Sequence, residues 1–151
     1  MTTVVGGWEL SWNTPIKEAE LWNLPLRDFG VVDWRMWPVS GIRQNEQAVE
    51  LTEYVDLVAC LDGLGDRPWV FIEPAMELYG IEPAELVRFE HPDDPVYVFG
   101  SAHYNPIVAG LNRDGDSVVR VPTVENAGVL WPHQVLVAVL YDRLVKSWPS
   151  S

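Results

Sequence analysis

The chain has 151 residues, 48% of them apolar, and a formal charge of −12 from 22 Asp and Glu against 10 Lys and Arg. That length predicts one domain whose core buries roughly 68–70% of the unfolded surface. The acidity disfavours nucleic acid, because affinity for phosphate backbones comes largely from Lys and Arg, and the longest apolar run, Val135 to Tyr141, is too short to cross a bilayer.

In chain order, strand candidates rich in Val, Ile and aromatics are Thr3 to Val5, Val31 to Trp37, Trp69 to Ile72, Val96 to Phe99 and Val118 to Val121. Between them lie helical stretches. The first has Thr14 as N-cap and Pro15 at its first position, and Pro25 limits how far it runs. A second helix is expected after Asn45, with Ala48, Leu51, Val55 and Val58 on one side. Its other side carries Glu46, Glu50, Glu53 and Asp56, either a docking row for a basic partner or, more simply, a solvated face. A short helix is expected from Pro83 to Phe89, and a last one from Pro132 to about Trp148. Strands alternating with helices predict an α/β domain, a parallel sheet of about five or six strands with helices on both faces. The last helix is apolar on almost every side and needs cover twice, once from the sheet and once from a partner subunit, which predicts a homodimer.

Much familiar chemistry is missing. There is neither a Gly-x-Gly-x-x-Gly nor a Gly-x-x-x-x-Gly-Lys-Ser/Thr phosphate cradle. His91, His103 and His133 show no metal-ligand spacing, so no metal is expected. Gly100-Ser101-Ala102-His103 lacks the second glycine of a nucleophile elbow, and Asp114-Gly-Asp116-Ser117 reads as a turn. Cys60 is the one cysteine, so no internal disulfide forms; with no charged start followed by an apolar stretch to mark a signal peptide, a cytoplasmic protein is expected. Of the eight tryptophans, Trp131 stands apart, in a loop before a helix-starting proline.

The C-terminal third carries a resemblance. Val96-Tyr-Val-Phe-Gly-Ser101, Val118-Val-Arg-Val-Pro-Thr123 and Val129-Leu-Trp-Pro-His133 running into Val135 to Asp142 resemble the three-part signature of the SPOUT RNA methyltransferases. The closest branch is the small SpoU/TrmH-type group, which methylates ribose 2′-hydroxyls of tRNA. Phe99-Gly100, Val121-Pro122, Leu130 and Tyr141-Asp142 fall on its landmarks, and Asn13-Thr14 resembles the turn after its first strand. The resemblance implies a C-terminal trefoil knot, a homodimer, and S-adenosylmethionine bound largely through backbone at Ile72, Glu73, Phe99, Gly100, Ser101, Val121, Pro122, Leu130 and Trp131. It makes Asn13 and His133 the candidate catalytic residues.

The departures from the pattern fall on its functional positions. The arginine that helps activate the ribose hydroxyl would fall near Ala19, flanked by Glu18 and Glu20. Ala102 replaces a glutamate, Asn105-Pro106 replaces Gly-Leu, and Val129, Trp131 and His133 replace Ser, Asn and Ser. Two readings follow. In one, the chain keeps the fold and the dimer, has lost ribose methylation, and acts by binding a protein or small molecule, Trp131 filling part of the pocket. In the other, it remains an S-adenosylmethionine-dependent RNA methyltransferase with His133 or His103 as general base.

Overall fold

The computed structural model describes residues 1–9, 14–42, 49–72, 82–101, 106, 109–124 and 130–149. Their elements run β1 (Thr3–Gly7), α1 (Pro15–Asp28), β2 (Asp33–Trp37), β3 (Leu51–Glu53), α2 (Leu57–Leu61), β4 (Trp69–Ile72), β5 (Ala84–Glu85), a 3₁₀ turn (Leu86–Arg88), β6 (Val96–Phe99), β7 (Ser117–Arg120) and α3 (Pro132–Lys146). The strands form one sheet in the order β3-β2-β1-β6-β4-β7-β5, and every pairing is parallel. The architecture is the expected α/β one, with seven strands rather than five or six. The two extra strands, β3 and β5, are edge pairings of three and two residues, too short to leave a pattern in the sequence.

Alternation along the strands divides the core. Val4, Met36, Val70, Ile72, Tyr97, Phe99 and Val119 face one side, where Ala19, Trp22 and Leu26 of α1 and Leu136, Val139 and Leu140 of α3 cover them. Val5, Phe71, Val96 and Val98 face the other, under Leu57, Cys60 and Leu61 of α2. Helices therefore lie on both faces. Gly6 has a packing reason: a Cβ there would stand 2.7 Å from the Trp22 ring. No helix among the described residues is long and apolar enough to cross a membrane.

Three expectations need correction. The helix expected after Asn45 is instead strand β3 followed by α2, residues 43–48 lying outside the described part. Leu51 is buried as the strand partner of Trp34, whereas Val55 and Val58 are exposed. The true apolar stripe is Leu57, Cys60, Leu61 and Leu64, each buried against the sheet. The acidic row dissolves with that helix. Glu53 accepts hydrogen bonds from Trp8 Nε1 at 2.7 Å and from the Ser40 amide and hydroxyl at 2.9 and 2.6 Å, and Asp56 caps α2. Pro83 to Phe89 forms β5 and the 3₁₀ turn, because Ala84 and Glu85 pair with β7 and Leu86 drops into the core. Finally, α1 runs through Pro25 to Asp28. Complete burial of Trp22 and Leu26 on either side outweighs the one backbone bond that Pro25 cannot make.

Candidate functional site

In an open parallel sheet, ligands bind beyond the carboxyl ends of the strands, where the strand order reverses. Here the chain builds outward from β1 through β2 and β3, then crosses to build β4, β7 and β5 on the other side, with β6 set between. The ends of β4, β6 and β7 are level. Ile72 pairs with Phe99 on one side and with Val119 on the other. Gly100 and Ser101, both half-buried, continue from β6, and Val121, half-buried, leads from β7 to the exposed Pro122. Six of the expected cofactor residues, Ile72, Phe99, Gly100, Ser101, Val121 and Pro122, thus share the carboxyl edge of three neighbouring strands. Glu73 and Asn13 lie outside the described residues, as do Ala102, His103, Asn105 and Val129.

At this edge the side chains of Ile72 and Phe99 are spent on the core. Phe99 meets the Trp22 ring edge-on at 5.7 Å. What these positions present beyond the strands is backbone. Val121 and Pro122 also line an open groove of about 410 Å³ whose other walls are Leu86 and Val87 of the 3₁₀ turn and Ala138, Tyr141, Asp142 and Val145 of α3.

Leu130 and Trp131 lead into α3, each more than a third exposed. Trp131 starts the helix: its carbonyl accepts from the amides of Gln134 and Val135, and its amide donates to Gln134 Oε1 at 2.9 Å. His133 lies half-buried in the first turn, and burial holds its imidazole below the usual value, so it is neutral at pH 7.

Below the end of β1 lies a feature that the sequence did not announce. Ala19 is fully buried in the core. Glu18 is fully buried as well, and both its carboxylate oxygens accept from the Glu9 amide, at 2.9 and 2.8 Å, while Trp22 Nε1 donates to Oε1 at 3.3 Å. Burial is the main cause that raises its pKa to about 6, and the nearby Glu9 carboxylate adds to it. A second missed group is His91, which bridges Tyr97 and Asp142 beneath α3. Nothing in the sequence pairs residues 51 positions apart. Burial pushes the Cys60 thiol up to about 12, leaving no thiolate nucleophile at neutral pH. Among the described residues no three His, Cys, Asp or Glu side chains gather as a metal-binding group.

No family model and no curated protein sequence matches the chain. Solved structures match its fold. A Bacillus anthracis protein assigned as an RNA methyltransferase aligns with TM-score 0.70 at 15% identity over 97% of this chain and 94% of its own. An S-adenosylmethionine-bound rRNA methyltransferase from Sinorhizobium meliloti aligns with TM-score 0.67 at 11% identity over 98% of this chain and 57% of its own. The SpoU methyltransferase AviRb from Streptomyces viridochromogenes, solved with S-adenosylmethionine, gives 0.65 at 8% over 97% and 60%. The chain thus spans nearly all of the first and rather more than half of the other two. It has the fold of the SpoU/TrmH-type SPOUT methyltransferases, as the C-terminal resemblance implied.

Proposed function

We propose that the chain is a binding protein built on the RNA-methyltransferase fold: it takes S-adenosylmethionine at the β6-β4-β7 edge and does not methylate ribose. The observation that carries this reading is the first turn of α1. Where the family resemblance sets a hydroxyl-activating arginine, Ala19 is fully buried, and the adjacent Glu18 is a buried carboxylate engaged by the Glu9 amide and the Trp22 indole. A carboxylate cannot take over a guanidinium's role. The charge of −12 points the same way, since it repels RNA rather than steering it inward.

The cofactor edge fits the group. Where the three strands end, Gly100 and Ser101 lead out of β6 and Val121 and Pro122 out of β7, the stretch of backbone against which the adenosyl group would lie. Bound S-adenosylmethionine supplies an electrophilic methyl, and Trp131, standing where the family has a small asparagine, fills part of the space for the donor or its target. On the same reading the C-terminal segment threads a loop as a trefoil knot, and two copies pair through α3. That helix leaves Val137, Tyr141 and Leu144 exposed at spacings of four and three, and Trp148, exposed just past its end, extends the apolar seam on which a second copy would pair. The functional partner is a protein or small molecule in the cytoplasm, not nucleic acid.

The expected result is a melting temperature raised by millimolar S-adenosylmethionine, as for any ligand that binds only the folded state, with no labelled methyl passed to bulk tRNA. Labelled tRNA would overturn the loss of methylation, and an unchanged melting temperature would overturn the cofactor assignment. Trp131→Asn is expected to tighten cofactor binding in calorimetry; tight binding that the substitution leaves unchanged would remove Trp131 from the pocket.

One observation favours a second reading, an active RNA methyltransferase. The neutral, half-buried His133 at the start of α3 could accept a proton from an attacking hydroxyl. Methyl transfer abolished by His133→Gln would establish it.

A further inference from the structure

The groups beneath the last turns of α3 join three pieces of the fold through one imidazole. The His91 side chain is 5% exposed. Its Nδ1 lies 2.6 Å from the hydroxyl of Tyr97, fully buried on β6, and its Nε2 lies 2.7 Å from Asp142 Oδ2 on α3. The same Oδ2 takes Lys146 Nζ at 2.8 Å, and that ammonium donates to the carbonyls of Leu86 and Phe89 at 2.7 and 2.8 Å. Arg143 donates to the Asp93 carbonyl at 3.3 Å. The rings of Phe89 and Tyr97 meet the imidazole edge-on at 5.1 and 5.8 Å.

Hydrogen-bond roles settle the tautomer. A carboxylate only accepts, so Nε2 carries the proton and donates to Asp142, while Nδ1 accepts from the Tyr97 hydroxyl. We propose that His91 is a proton-operated latch: neutral, it holds the C-terminal half of α3 on the sheet, and protonated, it releases it.

A second proton on the imidazole would set Nδ1–H against the Tyr97 hydroxyl. That oxygen would then have to accept from His91, and its own hydrogen would lose the acceptor it has. Lys146 and Arg143 place two cations beside the new charge, and Asp142 is the one facing group that favours it. Burial is the largest influence and lowers the pKa of His91 from its ordinary 6.5. Folding therefore favours the neutral form. The latch is fully closed above pH 6.5 and loosens as pH falls below it, because there the unfolded chain binds the proton first.

The test uses the full chain, with ring-nitrogen NMR of His91, assigned by its loss in His91→Gln, and hydrogen exchange of the α3 amides from pH 7.5 to 5. The glutamine can accept from Tyr97 and donate to Asp142, but it cannot titrate. Expected are an Nε2-protonated His91 that titrates below 6.5, faster exchange in the last two turns of α3 over the same range, and no such acceleration in the variant. A midpoint at or above 6.5, or α3 exchange with the same pH dependence in both proteins, would overturn the proposal. Should the glutamine variant not fold, Tyr97→Phe removes the opposing hydroxyl and is expected to raise the His91 midpoint; an unmoved midpoint would overturn it equally.

Discussion

Glu18 shows how one buried residue can govern pH dependence. Its folded pKa of about 6 lies above the ordinary 4.5, so between those values the folded protein binds more protons than the unfolded chain. The stability this group contributes is complete below pH 4.5, falls as pH rises, and is lost by pH 6. A shift of this size amounts to about 2 kcal/mol. Glu18→Gln keeps an acceptor for the Glu9 amide but has no proton to lose. Urea unfolding of both proteins at pH 4.5 and pH 7 should show the variant gaining about that much relative to the parent; a difference independent of pH would show that Glu18 is ordinarily solvated. The sign is opposite to that of His91, whose contribution is lost as pH falls, so the latch is read from local exchange in α3 rather than from global stability. In the sequence Glu18 is simply an acid in a first helical turn, and its burial emerges only when the sheet and the Glu9 amide close over it.

The elements were legible where local pattern and tertiary packing agree. Trp69–Ile72 and Val96–Phe99 are strands with the expected bounds, because all but Trp69 are buried and their apolar residues are continuous. Thr14 and Pro15 start α1 as expected. The helix expected after Asn45 failed because Leu51, Val55 and Val58 fit a helical period by coincidence, while pairing with Trp34 claimed Leu51 for an edge strand. The two capped starts differ in strength. Asp56 Oδ1 accepts from the Ala59 amide at 2.8 Å, whereas Thr14 Oγ1 accepts from the Lys17 amide at 3.4 Å. Asp56→Ala is therefore expected to cost about 1 kcal/mol and Thr14→Ala about 0.5 kcal/mol in chemical unfolding. Equal costs would mean that cap geometry does not set the difference.

For the whole molecule, the apolar seam of α3 bears on assembly. On the proposed pairing, sedimentation gives twice the chain mass, and Leu144→Glu, which buries a charge at the centre of the seam, returns it to one. A monomeric parent would refute the pairing. Composition and periodicity alone determined the α/β class and its parallel sheet, because strands buried on both faces need continuous apolar runs and helices buried on one face need a stripe. The C-terminal motifs determined which fold, because strand ends and turns keep their backbone requirements while side chains change. Only the tertiary structure decided that the carboxyl ends of β4, β6 and β7 stand level, that Glu18 is buried, and that His91 lies between Tyr97 and Asp142. Those are distances between residues far apart in the chain, and no local periodicity encodes them.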